Sequence, residues 1–299
     1  MDSKFTIIRR KNGESFVFMN RKTGEETEKP PYYIPPAWDP VYINNQKNAK
    51  CYAVGVDTKG KKQYLYHKDW LEMSEKKKFA QMLLFSKVFR RLKKKMNDGF
   101  QKIQISQKTC LDRRELKDLL LSIALYFIIH CNFRVGTKTD SESFGVSTLE
   151  KKHFHFHKNK ILISFLGKKG VENKCFITDK KICTIVQQLL QQNENEKFFT
   201  FQKGSFQVKI SAKTINTFIK KFGTFSSKDI RTYQANALFL KHVKKNLSKI
   251  QNKRKLIKHC IQKTANNLHH TEKICKKSYI CKEILNQVLE NPQSIHLKI

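Results

Sequence analysis

The sequence predicts an α+β protein, with a small β-rich N-terminal domain at residues 1–73 and a larger, mainly α-helical domain at residues 74–299. The N-terminal part contains short strand-like runs that are separated by turn signals. From Ser74 onward, apolar residues recur at helical spacing among lysines. With 299 residues, of which 39% are hydrophobic, the chain can bury the cores of one large or two ordinary domains.

Two β-hairpins are predicted in the N-terminal domain. Each consists of two apolar runs on either side of residues that tolerate positive φ. The runs are 5–8 with 16–19, around Asn12 and Gly13, and 50–56 with 62–67, around 57–60. Between the hairpins, proline pairs at 30–31 and 35–36 indicate an irregular crossing segment.

Most of the remaining predicted elements are helices. The first is basic and amphipathic, with Phe79, Leu83, Val88 and Leu92 on its apolar face. The next, at 111–132, is apolar nearly all round, which predicts a buried helix. Short strands are predicted at 146–149, 153–157 and 161–166, and further helices at 179–192, 212–222, 227–245, 253–266 and 276–290.

The charge balance indicates a polyanionic partner. The chain has 60 Lys and Arg against 25 Asp and Glu, a formal net charge of +35. Such a surface favours nucleic acid, because each neutralised phosphate releases counterions. An anionic membrane surface is the second candidate, but the longest apolar run, at 119–129, is well short of the roughly 20 residues that span a bilayer. No membrane segment is therefore predicted.

The cysteine pattern and the N-terminus favour an intracellular protein. Eight cysteines occur without a CxxC pair, which argues against a zinc ribbon and for free thiols in a reducing compartment. The N-terminal residues lack the apolar core of a signal peptide, so secretion is not expected.

Five residues together have the chemistry for breaking and rejoining a phosphodiester. Tyr279 is a candidate nucleophile, although a phenol with a pKa near 10 needs nearby cations to act as one. Two arginines and a histidine could hold phosphate oxygens, and a lysine could give a proton to the leaving oxygen. The settings are FRVG for Arg134, FLGKKG for Lys168, KDIRTY for Arg231, LHHT for His270 and KKSYI for Tyr279.

Residue type alone leaves neighbouring alternatives open. Lys169 competes with Lys168, and His269 competes with His270. A second pattern is the alternation of histidines at 153, 155 and 157, which places all three on one face of a predicted strand. Three such histidines could bind Zn²⁺, but a polar strand face also explains the pattern, and no metal site is predicted.

Taken together, the five settings resemble the type IB DNA topoisomerases, particularly the compact enzymes of poxviruses and other large DNA viruses. The resemblance covers nearly the whole chain, and the order and spacing of the motifs match. Besides the five settings, it includes IPPAW at 34–38, GVDTKGKKQYLYH at 55–67 and GVSTL at 145–149.

The resemblance implies a C-shaped clamp, in which the two domains close around duplex DNA, and a monomer that needs neither metal nor nucleotide cofactor. Tyr279 would form a 3′-phosphotyrosyl bond, with Arg134, Arg231 and His270 on the non-bridging oxygens. Lys168 would protonate the 5′-oxygen, because the family's acid directly follows a glycine. Relaxation of supercoils would follow, in a virion, a viral factory or a nucleus.

The resemblance also implies contacts to DNA outside the site of cleavage. These are expected at Gln63, Tyr64, Tyr66 and Lys138, and a glutamine there could read adenine edges. The departures from the family pattern include a shorter loop at 137–144, and His269 where glycine is usual.

Two rival functions remain on sequence grounds. A tyrosine recombinase uses a similar set of residues, but it generally carries a helical domain where residues 1–70 here predict strands. A non-catalytic basic DNA-binding protein would have the same charge.

Overall fold

The computed structural model describes residues 4–46, 49–106, 111–137 and 143–293, apart from the side chains of 102–106. Within this part, the chain forms two compact units that divide after Phe79. The first contains an antiparallel sheet, and the second is mainly helical with two small sheets. The predicted α+β class, with an N-terminal sheet followed by a helical region, is therefore confirmed.

The N-terminal unit is built on a five-stranded sheet. Its strands are β1 (Ile7–Asn12), β2 (Ser15–Asn20), β3 (Val41–Ile43), β4 (Cys51–Val56) and β5 (Lys62–Tyr66). They are antiparallel, in the order β2-β1-β3-β4-β5. Both predicted hairpins are present, and Gly13 supplies a φ of +60° in the first turn.

A buried arginine fixes the crossing segment between β2 and β3. Arg9 is 2% exposed, and its guanidinium donates to the carbonyl oxygens of Ile34, Pro35 and Trp38. Its charged end also lies over the ring of Phe16. Because this segment lacks regular secondary structure, the arginine satisfies carbonyls that would otherwise be buried without partners.

Helix α1 (Lys68–Ser106) begins earlier than the predicted start at Ser74. Its predicted apolar face is also partly wrong, because Leu83 is 44% exposed. The buried apolar positions recur at intervals of three, four or seven residues, as one face of a helix requires. They are Phe79, Met82, Phe85, Leu92, Met96 and Phe100.

The second unit is organised around α2 (Arg113–His130), which is buried along most of its length as predicted. Asp112 and Glu115 form a capping box at its start. The other helices are α3 (Lys180–Gln192), α4 (Ala212–Ile219), α5 (Ser227–Asn246), α6 (Lys253–Asn267), α7 (Glu272–Ser278) and α8 (Lys282–Glu290). None of the described helices is long and apolar enough to cross a bilayer.

Two small antiparallel sheets complete this unit. The first contains β6 (Phe154–His157), β7 (Lys160–Leu166) and β8 (Glu172–Ile177), and the second contains β9 (Thr200–Lys203) and β10 (Phe206–Lys209). Strands β8, β9 and β10 were not predicted. The strand predicted at 146–149 is wrong, because Val146–Thr148 forms a 3-10 turn.

Candidate active site

Tyr279 lies at the junction of two short helices. The single helix predicted at 276–290 is wrong: α7 ends at Ser278, and α8 starts at Lys282. Tyr279 is the C-cap of α7, and its backbone N–H donates to the carbonyl of Cys275. The next residue, Ile280, is completely buried and anchors the break between the helices.

Asn236 fixes this junction to α5. Its side-chain amide donates to the backbone carbonyl of Tyr279 at 2.9 Å, and its side-chain oxygen accepts from the backbone N–H of Cys281 at 2.9 Å. The residue is 0% exposed. Sequence reasoning missed Asn236, although it lies five positions after Arg231, on the helix that the prediction had already singled out.

Arg231, in the first turns of α5, lies beside Tyr279. It is 5% exposed, and its guanidinium donates to the carbonyl oxygens of Asn132 and Leu268. The same guanidinium lies 5.6 Å from the centre of the Tyr279 ring. Burial lowers the pKa of Arg231, and Tyr279 opposes this shift through its charge and a side-chain hydrogen bond.

His270 packs flat against the nucleophile candidate. The ring centres of His270 and Tyr279 are 4.9 Å apart, and the rings are inclined by 14°. Burial, followed by the charges of Arg231 and Arg134, lowers the pKa of His270 to about 4. The nearby backbone of Thr271 acts in the opposite direction and raises the pKa of His270. Neither ring nitrogen of His270 makes a hydrogen bond within the described residues.

The competing histidine, His269, faces elsewhere. Its Nε2 is 2.9 Å from the carbonyl oxygen of Cys131, and its ring packs against Phe133. Its backbone has a φ of +52°, a conformation that glycine adopts most easily. The structure therefore places His270, and not His269, against Tyr279.

Arg134 is held by a close crossing of two backbone segments. Its carbonyl accepts from the N–H of Val146 at 2.9 Å, next to the contact between Gly136 and Gly145. A Cβ atom at Gly145 would lie 2.5 Å from Gly136 Cα, so only glycine fits there. Arg134 is half-buried, and its charge lowers the pKa values of both Arg231 and His270.

Lys168 lies apart from these contacts. It occupies the turn between β7 and β8, where Gly167 N–H donates to the carbonyl of Val171. Its side chain is exposed, and none of the described contacts joins it to Tyr279. Lys169 is also exposed and has a φ of +65°. Four of the five predicted residues are thus near one another, and the fifth projects from a turn.

The cluster presents buried polar groups that lack protein partners. Among the described residues, Arg231 Nε and both ring nitrogens of His270 are buried without a hydrogen bond. Each such group costs about 1–3 kcal/mol unless a ligand completes it. An anion with several oxygens, placed beside Tyr279, would accept hydrogen bonds from Arg231 Nε and from the protonated ring nitrogen of His270.

The lowered pKa of His270 predicts a specific acid sensitivity. An unfolded histidine has a pKa near 6.5, so the unfolded chain binds this proton first as the pH falls. The part of the unfolding free energy that depends on a neutral His270 is therefore fully present above pH 6.5 and is progressively lost as the pH falls toward 4. In His270→Asn, we expect the acid-induced loss of unfolding free energy to shrink by up to about 3 kcal/mol at pH 4.

Urea titrations between pH 4 and 8 measure this difference directly. His155→Asn is the matched control, because His155 is exposed on β6 and should leave the pH dependence unchanged. Equal pH dependence in the wild type and His270→Asn would contradict the prediction.

A disulfide joins two parts of the site. Cys131, the C-cap of α2, is bonded to Cys175 in β8, with Cα atoms 5.5 Å apart. It links the segment leading to Arg134 with the hairpin that carries Lys168. The prediction of free thiols is wrong for this pair. The two cysteines are 44 residues apart, and nothing in the sequence indicates that they pair. The described free cysteines are Cys51, Cys183, Cys260, Cys275 and Cys281.

The histidines at 153, 155 and 157 do not share one strand face. His153 precedes β6 in a 3-10 turn, is buried, and accepts from the N–H of Glu150 through Nδ1. His155 and His157 are exposed. In the described part of the chain, no group of three or more His, Cys, Asp or Glu is arranged to hold a metal ion.

The predicted DNA-contacting residues of β5 lie on opposite faces. Tyr64 and Tyr66 stack on one face, where Tyr66 continues onto Trp70. Gln63 lies on the other face and donates to Asp57 at 2.8 Å. Lys138 lies outside the described residues.

The chain is similar to known DNA topoisomerases. The family described as "Eukaryotic DNA topoisomerase I, catalytic core" matches residues 67–296, which include all five predicted site residues. "DNA topoisomerase 1B" of Acanthamoeba polyphaga mimivirus is 28% identical, over 96% of this chain and 88% of its own. "DNA topoisomerase 1" of Rabbit fibroma virus is 27% identical (81% and 74%), and "DNA topoisomerase 1B" of Vaccinia virus (strain Western Reserve) is 28% identical (79% and 71%).

Proposed function

The chain belongs to the DNA topoisomerase I family, in its type IB class, and from that premise we propose that it relaxes supercoiled duplex DNA. It cuts one strand, lets the free end rotate and rejoins the strand, without ATP or an obligatory metal. The observation that carries the proposal is the placement of Arg231 and His270 directly against Tyr279.

The chemistry is a reversible transesterification. The Tyr279 oxygen gives up its proton to solvent and attacks phosphorus, the bond to the 5′-oxygen breaks, and a 3′-phosphotyrosyl bond forms. Arg134, Arg231 and His270 bind the non-bridging oxygens, on which charge develops. Lys168 gives a proton to the leaving 5′-oxygen. The reverse reaction restores the strand, because the covalent intermediate conserves the energy of the broken bond.

The experiment that tests this function is relaxation of a supercoiled plasmid in EDTA without ATP. A second arm traps the intermediate with detergent on duplexes labelled at one end of the cut strand. We expect relaxation, and protein attached only to the strand labelled at its 5′ end, because the bond is to the 3′-phosphate. No relaxation, or attachment to the 3′-labelled fragment, would refute the proposal.

Lys168 is expected to act only on the leaving group. Lys168→Ala should slow cleavage of ordinary DNA by about 10²–10⁴-fold, the usual contribution of a general acid. A substrate with sulfur at the bridging 5′ position needs little protonation, so it should restore most of the rate in this variant. Lys169→Ala, the neighbouring control, should cleave both substrates normally; the opposite pattern would reassign the acid to Lys169.

Asn236 is expected to position Tyr279. Asn236→Ala removes both bonds that tie the helix junction to α5, so the rate of covalent adduct formation on saturating DNA should fall by about 10–100-fold. The Kd for DNA should change little. Asn246→Ala, which removes a side-chain bond at the far end of the same helix, is the control, and equal rates in both variants would remove this role.

The N-terminal unit is proposed to complete a clamp around the duplex. Tyr64 and Tyr66 present one face of β5 for this contact, and Lys138 would add a phosphate contact. Gln63 would read a base only by giving up its bond to Asp57. We propose that the protein acts as a monomer, and inside the cell, where its duplex DNA substrate lies.

A further inference from the structure

Two helices end beside the Tyr279 cluster, and each leads directly to a residue of that cluster. Helix α2 has its C-cap at Cys131, shortly before Arg134. Helix α6 has its C-cap at Leu268, shortly before His270. The C-terminus of a helix carries a partial negative charge, so two neighbouring C-termini need hydrogen-bond donors between them. The side chains that supply these donors determine how Arg134 and His270 lie relative to each other.

His269 closes the end of α6 in a Schellman motif. Its backbone N–H donates to the carbonyl of Asn266, and the N–H of His270 donates to the carbonyl of Ala265. The left-handed position of this motif is usually a glycine, because a Cβ atom is disfavoured there. His269 occupies the position with a φ of +52°. Its side chain therefore has to offset an unfavourable backbone conformation through its own contacts.

Those contacts are with the segment that leads to Arg134. The Nε2 atom of His269 lies 2.9 Å from the carbonyl oxygen of Cys131, and the centres of the His269 and Phe133 rings are 5.4 Å apart. A carbonyl only accepts, so Nε2 carries the ring proton. Burial lowers the pKa of His269, so the ring is neutral at pH 7 and this is its single proton. Phe133 is completely buried and directly precedes Arg134.

Arg231 makes a second link between the same two helix ends. Its guanidinium donates to the carbonyl oxygens of Asn132 and Leu268. The same guanidinium lies beside Tyr279, so Arg231 serves both the link and the reaction. The side chain of His269 contributes to the link alone, which makes its effect on the site separable by substitution.

We propose that His269 is a positioning residue, which holds the segment carrying Arg134 in place against the loop carrying His270. This inference rests on the proposed function. Arg134 and His270 bind the non-bridging oxygens of one phosphate, so the distance between them has to be fixed before the substrate arrives. A misplacement of about 1 Å in such a group can slow a reaction by about 10²-fold.

The test compares three substitutions at this position. His269→Gly removes the side chain and suits the left-handed backbone. His269→Asn also tolerates this backbone, but its amide is too short to reach the carbonyl of Cys131. His269→Gln places an amide nitrogen near the position of Nε2 and can restore the hydrogen bond. Single-turnover adduct formation on a saturating duplex, the Kd for DNA and thermal melting are measured for each variant.

We expect folded His269→Gly and His269→Asn proteins that form the adduct about 10–100-fold more slowly than the wild type. Their Kd for DNA should stay within about threefold, and His269→Gln should recover most of the rate. Lys158→Gly is the matched control, because Lys158 is an exposed turn residue between β6 and β7 with a φ of +48°. It should form the adduct at the wild-type rate.

A double-mutant cycle shows whether the effect passes through Arg134. In Arg134→Ala the group that His269 positions is already missing, so adding His269→Gly should slow the residual reaction by less than about twofold. Three results would overturn the inference: a wild-type rate in His269→Gly, a folded His269→Gln as slow as His269→Gly, or losses that multiply in the double variant. A wild type that forms no adduct would instead count against the proposed function, so the two failures are distinguishable.

Discussion

Replacing Tyr279 by Phe is expected to abolish relaxation. The substitution removes one oxygen atom and keeps the ring, so the packing against His270 and Arg231 should persist. Without the proposed nucleophile we expect no 3′-phosphotyrosyl bond, and the rate should fall by at least about four orders of magnitude. Plasmid relaxation and detergent trapping of the adduct both measure this loss.

Affinity for DNA should survive the same change. We expect the Kd for a duplex to stay within about threefold, because cations supply most of the binding. Tyr233→Phe is the matched control: Tyr233 is a half-buried tyrosine of α5 that packs against Phe85 and Phe89, and its variant should relax DNA normally. Relaxation by Tyr279→Phe would remove the nucleophile assignment.

Replacing Arg231 by Ala should cause the second largest loss. The guanidinium already binds two backbone carbonyls, so its position is fixed before the substrate arrives. A pre-positioned arginine that neutralises charge in phosphoryl transfer is worth about 10³-fold or more. Single-turnover cleavage of a saturating duplex measures the loss, which we expect in the rate of adduct formation and much less in the Kd.

Loss of the buried guanidinium could also destabilise the fold, so Arg231→Lys is the second variant. Lysine keeps the charge but cannot bind both carbonyls and a phosphate in fork geometry. We therefore expect a folded protein, checked by thermal melting, that still cleaves at least about tenfold more slowly. Arg91→Ala, at an exposed position of α1, should cleave normally. Wild-type rates in a folded Arg231→Ala protein would exclude this role.

Local sequence signals predicted much of the fold. Turn residues and apolar periodicity located both N-terminal hairpins, the buried α2 and the long α5. The cluster around Tyr279 followed from motif order, and the structure indeed brings Arg231 and His270 against that ring. These features depend on residues close together in the sequence, or on a family pattern that spans the chain.

The incorrect predictions of secondary structure lie where contacts with other parts of the chain determine the local conformation. The 276–290 segment is apolar at helical spacing, yet Asn236, far away in the chain, binds both sides of the break at Tyr279. The segment at 146–149 turns instead of extending: the N–H groups of its first two residues bond to the carbonyls of Arg134 and Val135, and those of the next two bond to the carbonyls of Gly145 and Val146. The local pattern of apolar and polar residues does not identify such hydrogen-bond partners.

The Cys131–Cys175 bond divides the proposed catalytic groups into two sets. Arg134 and Lys168 lie inside the covalent ring that this bond closes, whereas Arg231, His270 and Tyr279 lie outside it on α5 and around α7. Closing a ring across a separation of 44 residues lowers the conformational entropy of the unfolded chain, which stabilises the folded state by about 4 kcal/mol. When the C-terminal helices unfold transiently, Arg134 and Lys168 therefore remain linked through this covalent ring. Only the segments that carry Arg231, His270 and Tyr279 must then refold against them.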